Sequence, residues 1–250
     1  MAKLKRCLPI RRIKEQKIIS PEDSVNGEKG DLMRTKFDEQ LKNLNEEMIQ
    51  MGVMIEENIQ EAIEALVKSD VDKAKKIMEK DTAIDKKQRD IESICFNLLI
   101  QQQPVARDLR MITAAMKMVT DMERIGDHAA DISEMTIMLA KSERMENYET
   151  IIKMASEASI MLIHSIDAFT EKDKVKAKEV IEHDDVVDAL FDQVKQEVTK
   201  LIQNDPKRGE QEIDMLMIAK YLERIGDHAT NIAEWVIYSL DDRKKDKQGN

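Results

Sequence analysis

The heptapeptide Glu123-Arg124-Ile125-Gly126-Asp127-His128-Ala129 returns unchanged as Glu223-Arg224-Ile225-Gly226-Asp227-His228-Ala229, one hundred residues later. At the same offset Ile132, Glu134 and Ile137 recur as Ile232, Glu234 and Ile237. Seven consecutive identities exceed what shared composition produces, so the chain carries an internal duplication. Its fold follows from one unit read twice.

Around each copy the apolar residues recur at steps of three and four, the spacing that lines one face of an α-helix. A first helix carries Phe37, Leu41, Leu44, Met48, Met51, Ile55, Ile59, Ala62 and Leu66. Ser69-Asp70 supplies a turn and a cap. A second helix carries Ala74, Ile77, Ile84, Ile91, Cys95 and Leu98, and stops at Gln101-Gln102-Gln103-Pro104, because the residue before proline avoids helical geometry. The third, with Leu109, Ile112, Met116, Val119, Gly126, Ala130 and Ile137, holds the first motif. After a polar stretch at 141–149 the plan repeats through helices centred on Leu162, Phe191 and Gly226. Several of these helices run about 30 residues, or roughly 45 Å, and short connections make neighbours antiparallel. The spacing predicts an all-α fold of two tandem three-helix bundles, at 33–140 and 145–241, with a disordered tail at 242–250.

Composition agrees. Aromatics are 3% of the 250 residues and charged residues 36%, and only 7 Gly and 4 Pro interrupt the chain. Strands favour aromatic and β-branched residues, and little here reads that way. The 17 Met residues suit irregular helix packing. A net charge of −10 argues against a nucleic-acid binder. Cys7 and Cys95 form no CxxC motif or disulfide framework, as expected of a reducing, cytoplasmic compartment. No apolar run approaches the roughly 20 residues that span a bilayer.

Residues 1–32 differ from the rest, with eight Lys or Arg against five Asp or Glu. They lack the apolar centre of a secretory signal. The segment reads either as a basic arm that docks on a partner or lipid, or as a disordered or non-native extension. The second reading is the simpler, because Glu28-Lys29-Gly30-Asp31 can be encoded by a purine-rich, ribosome-binding stretch just ahead of a natural start at Met33.

The chemistry lies in acids placed on apolar faces. Asp81, Glu123, Asp184 and Glu223 fall on the inward stripe of their helices, each followed one turn later by a second acid, Asp85, Asp127, Asp188 and Asp227. Side chains four apart share a helix face, so each pair aims two carboxylates the same way. Acids approaching a core must be paired or must bind a cation. Two solutions exist. Two helices can converge their pairs on a metal, for which oxygen ligands suit hard cations such as Mg²⁺, Ca²⁺, Mn²⁺ or ferric iron. His128 and His228 could add nitrogen, although they lie off that face. Alternatively, Arg124 and Arg224 can pair with Asp127 and Asp227 at i+3. Gly126 and Gly226, costly inside helices by about 1 kcal/mol, point to close helix approach. His164 and His183 read as surface residues and Cys95 as core. The sequence holds no Walker loop, GxSxG or HExxH motif.

With Met33-Arg34-Thr35-Lys36-Phe37 and the segment Gln103-Pro104-Val105-Ala106-Arg107-Asp108-Leu109-Arg110, the doubled motif resembles the PhoU family of phosphate-transport accessory proteins over about 33–240. The resemblance implies two three-helix bundles and a non-enzymatic negative regulator of phosphate uptake and of the phosphate-starvation response. It implies partners at the inner face of the membrane, the phosphate ABC transporter ATPase and a sensor histidine kinase, with the membrane reached only through them, and a homodimer. It implies metal clusters of iron, zinc or magnesium held by Glu123, Asp127, Glu223 and Asp227, with Asp81, Asp85, Asp184 and Asp188 from the second helix of each unit. The extension at 1–32 departs from the family pattern. Two competing functions are a metal-dependent hydrolase acting on a phosphorylated partner, where a cation lowers the pKa of bound water, and a metal-storage bundle.

Overall fold

The computed structural model describes residues 28–102, 104–141 and 148–241. Of the expectations above, those for 1–27, the centre of the 141–149 linker and the tail at 242–250 lie outside the described residues. Among the described residues six α-helices follow one another: α1 (Glu28–Lys68), α2 (Val71–Gln102), α3 (Ala106–Leu139), α4 (Glu149–Glu171), α5 (Lys174–Asn204) and α6 (Gly209–Leu240), with one 3₁₀ turn at Pro206–Arg208 ahead of α6. Helix α1, described over Glu28–Lys68, reaches into the segment read as an extension. No proline interrupts 28–68, and Gly30 weakens a helix without stopping it.

The two units turn their first corner by the same device. Ser69 and Lys172 take left-handed backbones, with φ of 54° and 56°. The next residue's amide returns to the helix, Asp70 N to Ala65 O at 2.9 Å and Asp173 N to Ala168 O at 2.8 Å. Each aspartate then caps the following helix, Asp70 Oδ1 accepting from Lys73 N and Asp173 Oδ1 from Val175 N and Lys176 N. These corners satisfy orphan amides and carbonyls at both helix ends. They set α2 back along α1, and α5 back along α4.

Helices α1, α2 and α3 pack on one another, and so do α4, α5 and α6. The bundles join through α3 against α6 and α1 against α4. Helices α2 and α5 therefore lie on the two outer flanks, each held by its own bundle. One continuous core runs through both, from Leu44, Met48, Met51 and Ile55 to Met161, Ile218, Leu222 and Val236. Cys95 is buried in it, as expected, and burial pushes its thiol up to about 12. Leu109, placed on an apolar stripe by the sequence, is exposed. It lies in the first turn of α3, where periodicity continues past the last neighbour able to cover it.

Candidate metal centre

Helix α2 presents Asp81 and Asp85 to α3, which answers with Glu123 and Asp127. One carboxylate oxygen each from Asp81, Asp85 and Asp127 lies within 4.8 Å of the others, a unique grouping of three potential ligands among the described residues. Glu123 stands beside this triad, and its carboxyl is raised first by burial and then by Asp127, with Asp85 and Asp81 adding and Arg124 opposing. Asp81 is the most perturbed. Burial, then the charges of Asp127, Asp85 and Asp131, push it up to about 6. Its Oδ1 is buried and accepts no hydrogen bond.

Close approach of α2 to α3 makes this convergence possible. A Cβ on Gly126 would meet Ile84 Cδ1 at 3.0 Å and Cγ2 at 3.1 Å, with Asp81 Oδ1 at 3.7 Å. The motif glycine is thus the floor on which the opposing aspartate sits.

The second bundle sets the matching acids between α5 and α6 without an equally tight triad among the described residues. Burial, then Asp188 and Asp227, push Asp184 up to about 6. Asp188 is raised by burial and then Glu223, and Asp227 by burial and then Glu223, with Lys220 opposing both. A Cβ on Gly226 would lie 3.2 Å from Asp184 Oδ1. Of the eight acids singled out in the sequence, Asp81, Asp85 and Asp127 converge, whereas the acids of the second bundle act on one another's charge but form no such grouping among the described residues.

Ion pairing satisfies the acids only in part. Arg124 Nη1 donates to Asp127 Oδ2 at 2.8 Å and its Nε lies 3.5 Å from Glu123, while Arg89 reaches Asp85 at 3.9 Å. Lys220 Nζ donates to Glu223. Arg224 does not mirror Arg124; its charge acts instead on His128 and Tyr221. The two motif histidines are likewise drawn elsewhere. His128 Nδ1 lies 3.1 Å from Asp131 Oδ2, and His228 Nδ1 lies 2.9 Å from Asp121 Oδ1, which also accepts from Asn231. Their rings face each other at 5.7 Å across the α3–α6 joint, with Tyr221 stacked on His128. Five residues past the glutamate, a side chain points away from the carboxylate face and toward the other bundle. His183, read as a surface residue, pairs with Glu157 at 2.8 Å.

The donor set is therefore oxygen alone; the four acids of the first bundle are half-buried, whereas Asp188 and Asp227 of the second are exposed. An orphaned buried oxygen on Asp81, converging like charges, and a glycine floor in each copy fit a hard cation. The sequence reading missed two further residues. Asp121 ties the two bundles together through His228. Glu212 is fully buried, its two oxygens accept no hydrogen bond, and Arg208 lies 3.8 Å away. The duplication held the signal, since Glu212 occupies the place of Ile112 at the same offset of 100.

Comparisons with known proteins agree with the duplication. The PhoU domain model matches twice, over residues 48–136 and 151–236. A phosphate-specific transport system accessory protein PhoU homolog from Clostridium acetobutylicum is 38% identical, covering 86% of this chain and 99% of the relative. A homolog of the same description from Aquifex aeolicus is 37% identical over 76% of this chain and 86% of its own. The crystal structure of PhoU from Pseudomonas aeruginosa superposes with a TM-score of 0.76 at 31% identity, covering 82% of this chain and 98% of that one. The phosphate transport system regulatory protein PhoU from Streptococcus pneumoniae gives 0.75 at 29% identity, covering 82% and 99%. With both bundles matched and the relatives covered almost end to end, this chain belongs to the PhoU family.

Proposed function

We propose that this protein is a non-enzymatic accessory regulator of phosphate transport. It lowers phosphate uptake and holds the phosphate-starvation response off when phosphate is plentiful. It acts in the cytoplasm by docking on the phosphate ABC transporter ATPase, on the sensor histidine kinase, or on both. The observation that carries this reading is similarity along nearly the whole length of relatives described as accessory proteins of that system. No described helix is long and apolar enough to cross a membrane, and in this proposal the membrane is reached through partners. The test is to delete the gene and follow starvation-gene expression at high phosphate, with co-purification of the tagged protein against the ATPase and the kinase. Constitutive expression and capture of either partner are expected. Normal repression in the deletion would sink the reading.

The two carboxylate groups hold hard cations in this proposal, through Asp81, Asp85, Glu123 and Asp127 in one bundle and Asp184, Asp188, Glu223 and Asp227 in the other. A bound cation would neutralise the converging charges and pin α2 to α3 and α5 to α6. Iron and magnesium suit an oxygen donor set better than zinc, which proteins hold chiefly through Cys and His. Elemental mass spectrometry of the purified protein checks it. Stoichiometric metal in the wild type, lost in the Glu123→Ala/Asp127→Ala/Glu223→Ala/Asp227→Ala variant, is expected. A folded wild type that takes up no metal would overturn the assignment.

A further inference from the structure

One corner of the first bundle carries apolar side chains that the described helices leave open. Phe96 and Ile100 lie one turn apart near the end of α2, and Val105 and Leu109 one turn apart at the entry to α3. They are 52%, 77%, 67% and 45% exposed. The connection between the two helices is short, so the four gather at one corner. Apolar side chains exposed together mark a contact surface, whereas scattered ones do not.

The duplication supplies a comparison. Asp81 and Asp85 correspond to Asp184 and Asp188 at an offset of 103, which sets Thr199 and Gln203 against Phe96 and Ile100. The offset of 100 sets Asp205 and Gly209 against Val105 and Leu109. The second corner is therefore polar where the first is apolar, and its own exposed pair, Ile213 and Met217, lies further along α6. The chain leading into each unit differs as well. A short link from α3 precedes α4, whereas 27 residues precede the described start of α1. Those residues leave from the same end as the open corner. Lys80 pairs with Glu61 and Lys87 with Glu47, an antiparallel register that brings Ile100 near the level of Phe37 on α1. Helix α1 reaches on to Glu28, about 14 Å beyond that level at 1.5 Å per residue. A chain of this length, at up to about 3.3 Å per residue, reaches back over that gap with ease.

We propose that residues 1–27 fold back on their own bundle and cover Phe96, Ile100, Val105 and Leu109. Their composition suits the place. The first 19 residues hold six Leu or Ile, enough to seat on the corner, and seven Lys or Arg against one Glu, in a chain whose net charge is −10. Four side chains fall well short of the roughly 800 Å² that each partner buries in a stable dimer, so one short segment fits this corner better than a second copy does.

A fluorescent reporter at the corner tests this on the full-length chain. Trp235 is the single tryptophan; Trp235→Phe removes it, and Phe96→Trp then places one indole in the patch. Its emission is expected to be blue-shifted and shielded from acrylamide. Leu8→Asp/Ile13→Asp alters only the segment and should shift the emission to the red and raise quenching, with helicity by circular dichroism unchanged. A synthetic peptide of residues 1–27 added to that variant should restore the blue emission. Equal emission with and without Leu8→Asp/Ile13→Asp would overturn the inference. So would emission of the intact chain that reddens on dilution, the mark of a second copy on the corner. N-terminal sequencing of the protein from its own cells is the remaining check, and a chain that starts at Met33 would overturn the inference too.

Discussion

Gly226 lies directly under Asp184: a Cβ added to the glycine would stand 3.2 Å from the aspartate's Oδ1. The equivalent Gly126 faces Ile84 at 3.0 and 3.1 Å and Asp81 Oδ1 at 3.7 Å. Glycine to alanine inside a helix normally gains about 1 kcal/mol. Here the neighbour of Gly126 is a fully buried core isoleucine that cannot yield freely. Gly126→Ala is expected to lose about 1–2 kcal/mol through overpacking, read as a lowered melting temperature. A stabilised variant would show that close approach is not why the glycine is there.

Asp81 titrates near 6 in the folded chain, against a reference of 3.8. Between those values the native state holds a proton that the unfolded chain has released. Stability contributed through this group is therefore greatest below about pH 4, falls as pH rises to about 6, and is flat above. Asp81→Asn removes the dependence. In chelator buffer its stability relative to wild type should improve by about 1–2 kcal/mol from pH 4 to pH 7, a figure that allows for solvent screening at a half-buried site. Denaturant melts at the two pH values measure it. Manganese(II) added at pH 7 should reverse the gain, because it stabilises only the wild-type centre.

Glu212 is a buried acid in the position that Ile112 holds in the first bundle. Burial raises its carboxyl and Arg208 only partly opposes this. Replacing a buried ionic group by a well-packed apolar one of similar volume is often neutral or stabilising by about 1–4 kcal/mol. Glu212→Ile is expected to stabilise, and Arg208→Ala to destabilise by about 1–2 kcal/mol by removing the nearby guanidinium. Thermal unfolding of both variants decides the point. A destabilised Glu212→Ile protein would mean that the carboxylate serves the fold in some other way.

Asp121 on α3 is the acceptor for both His228 and Asn231 on α6. Asp121→Ala should cost about 1–2 kcal/mol, since it strands the half-buried His228 and removes the partner of the exposed Asn231 at the joint between bundles. Combined with His228→Ala the losses should fall short of additive by about 0.5–1 kcal/mol, because the shared bond can be lost only once. Strict additivity in urea melts would dissolve the proposed link.

The carboxylates were legible because an acid on an apolar stripe conflicts with its surroundings wherever the helix is placed, and because the conflict appears twice. The histidines were not placed by the same logic. His128 and His228 sit beside the acids in sequence, yet turn about one helix in different directions, so which neighbour they meet depends on what packs there.

What the sequence determined by itself was local and repeated: six amphipathic helices, two copies of one unit, a cap at the first corner of the first unit, and four pairs of acids with glycines beside two of them. Helical period and turn chemistry are properties of neighbours along the chain, and they need no knowledge of the rest. Tertiary structure alone decided that α3 meets α6, leaving α2 and α5 on the flanks, and that Asp81, Asp85 and Asp127 converge while the histidines meet at the joint. It also decided that Glu212 is buried where its counterpart is apolar. Those outcomes depend on crossing and rotation between helices far apart in sequence, which packing of the shared core sets.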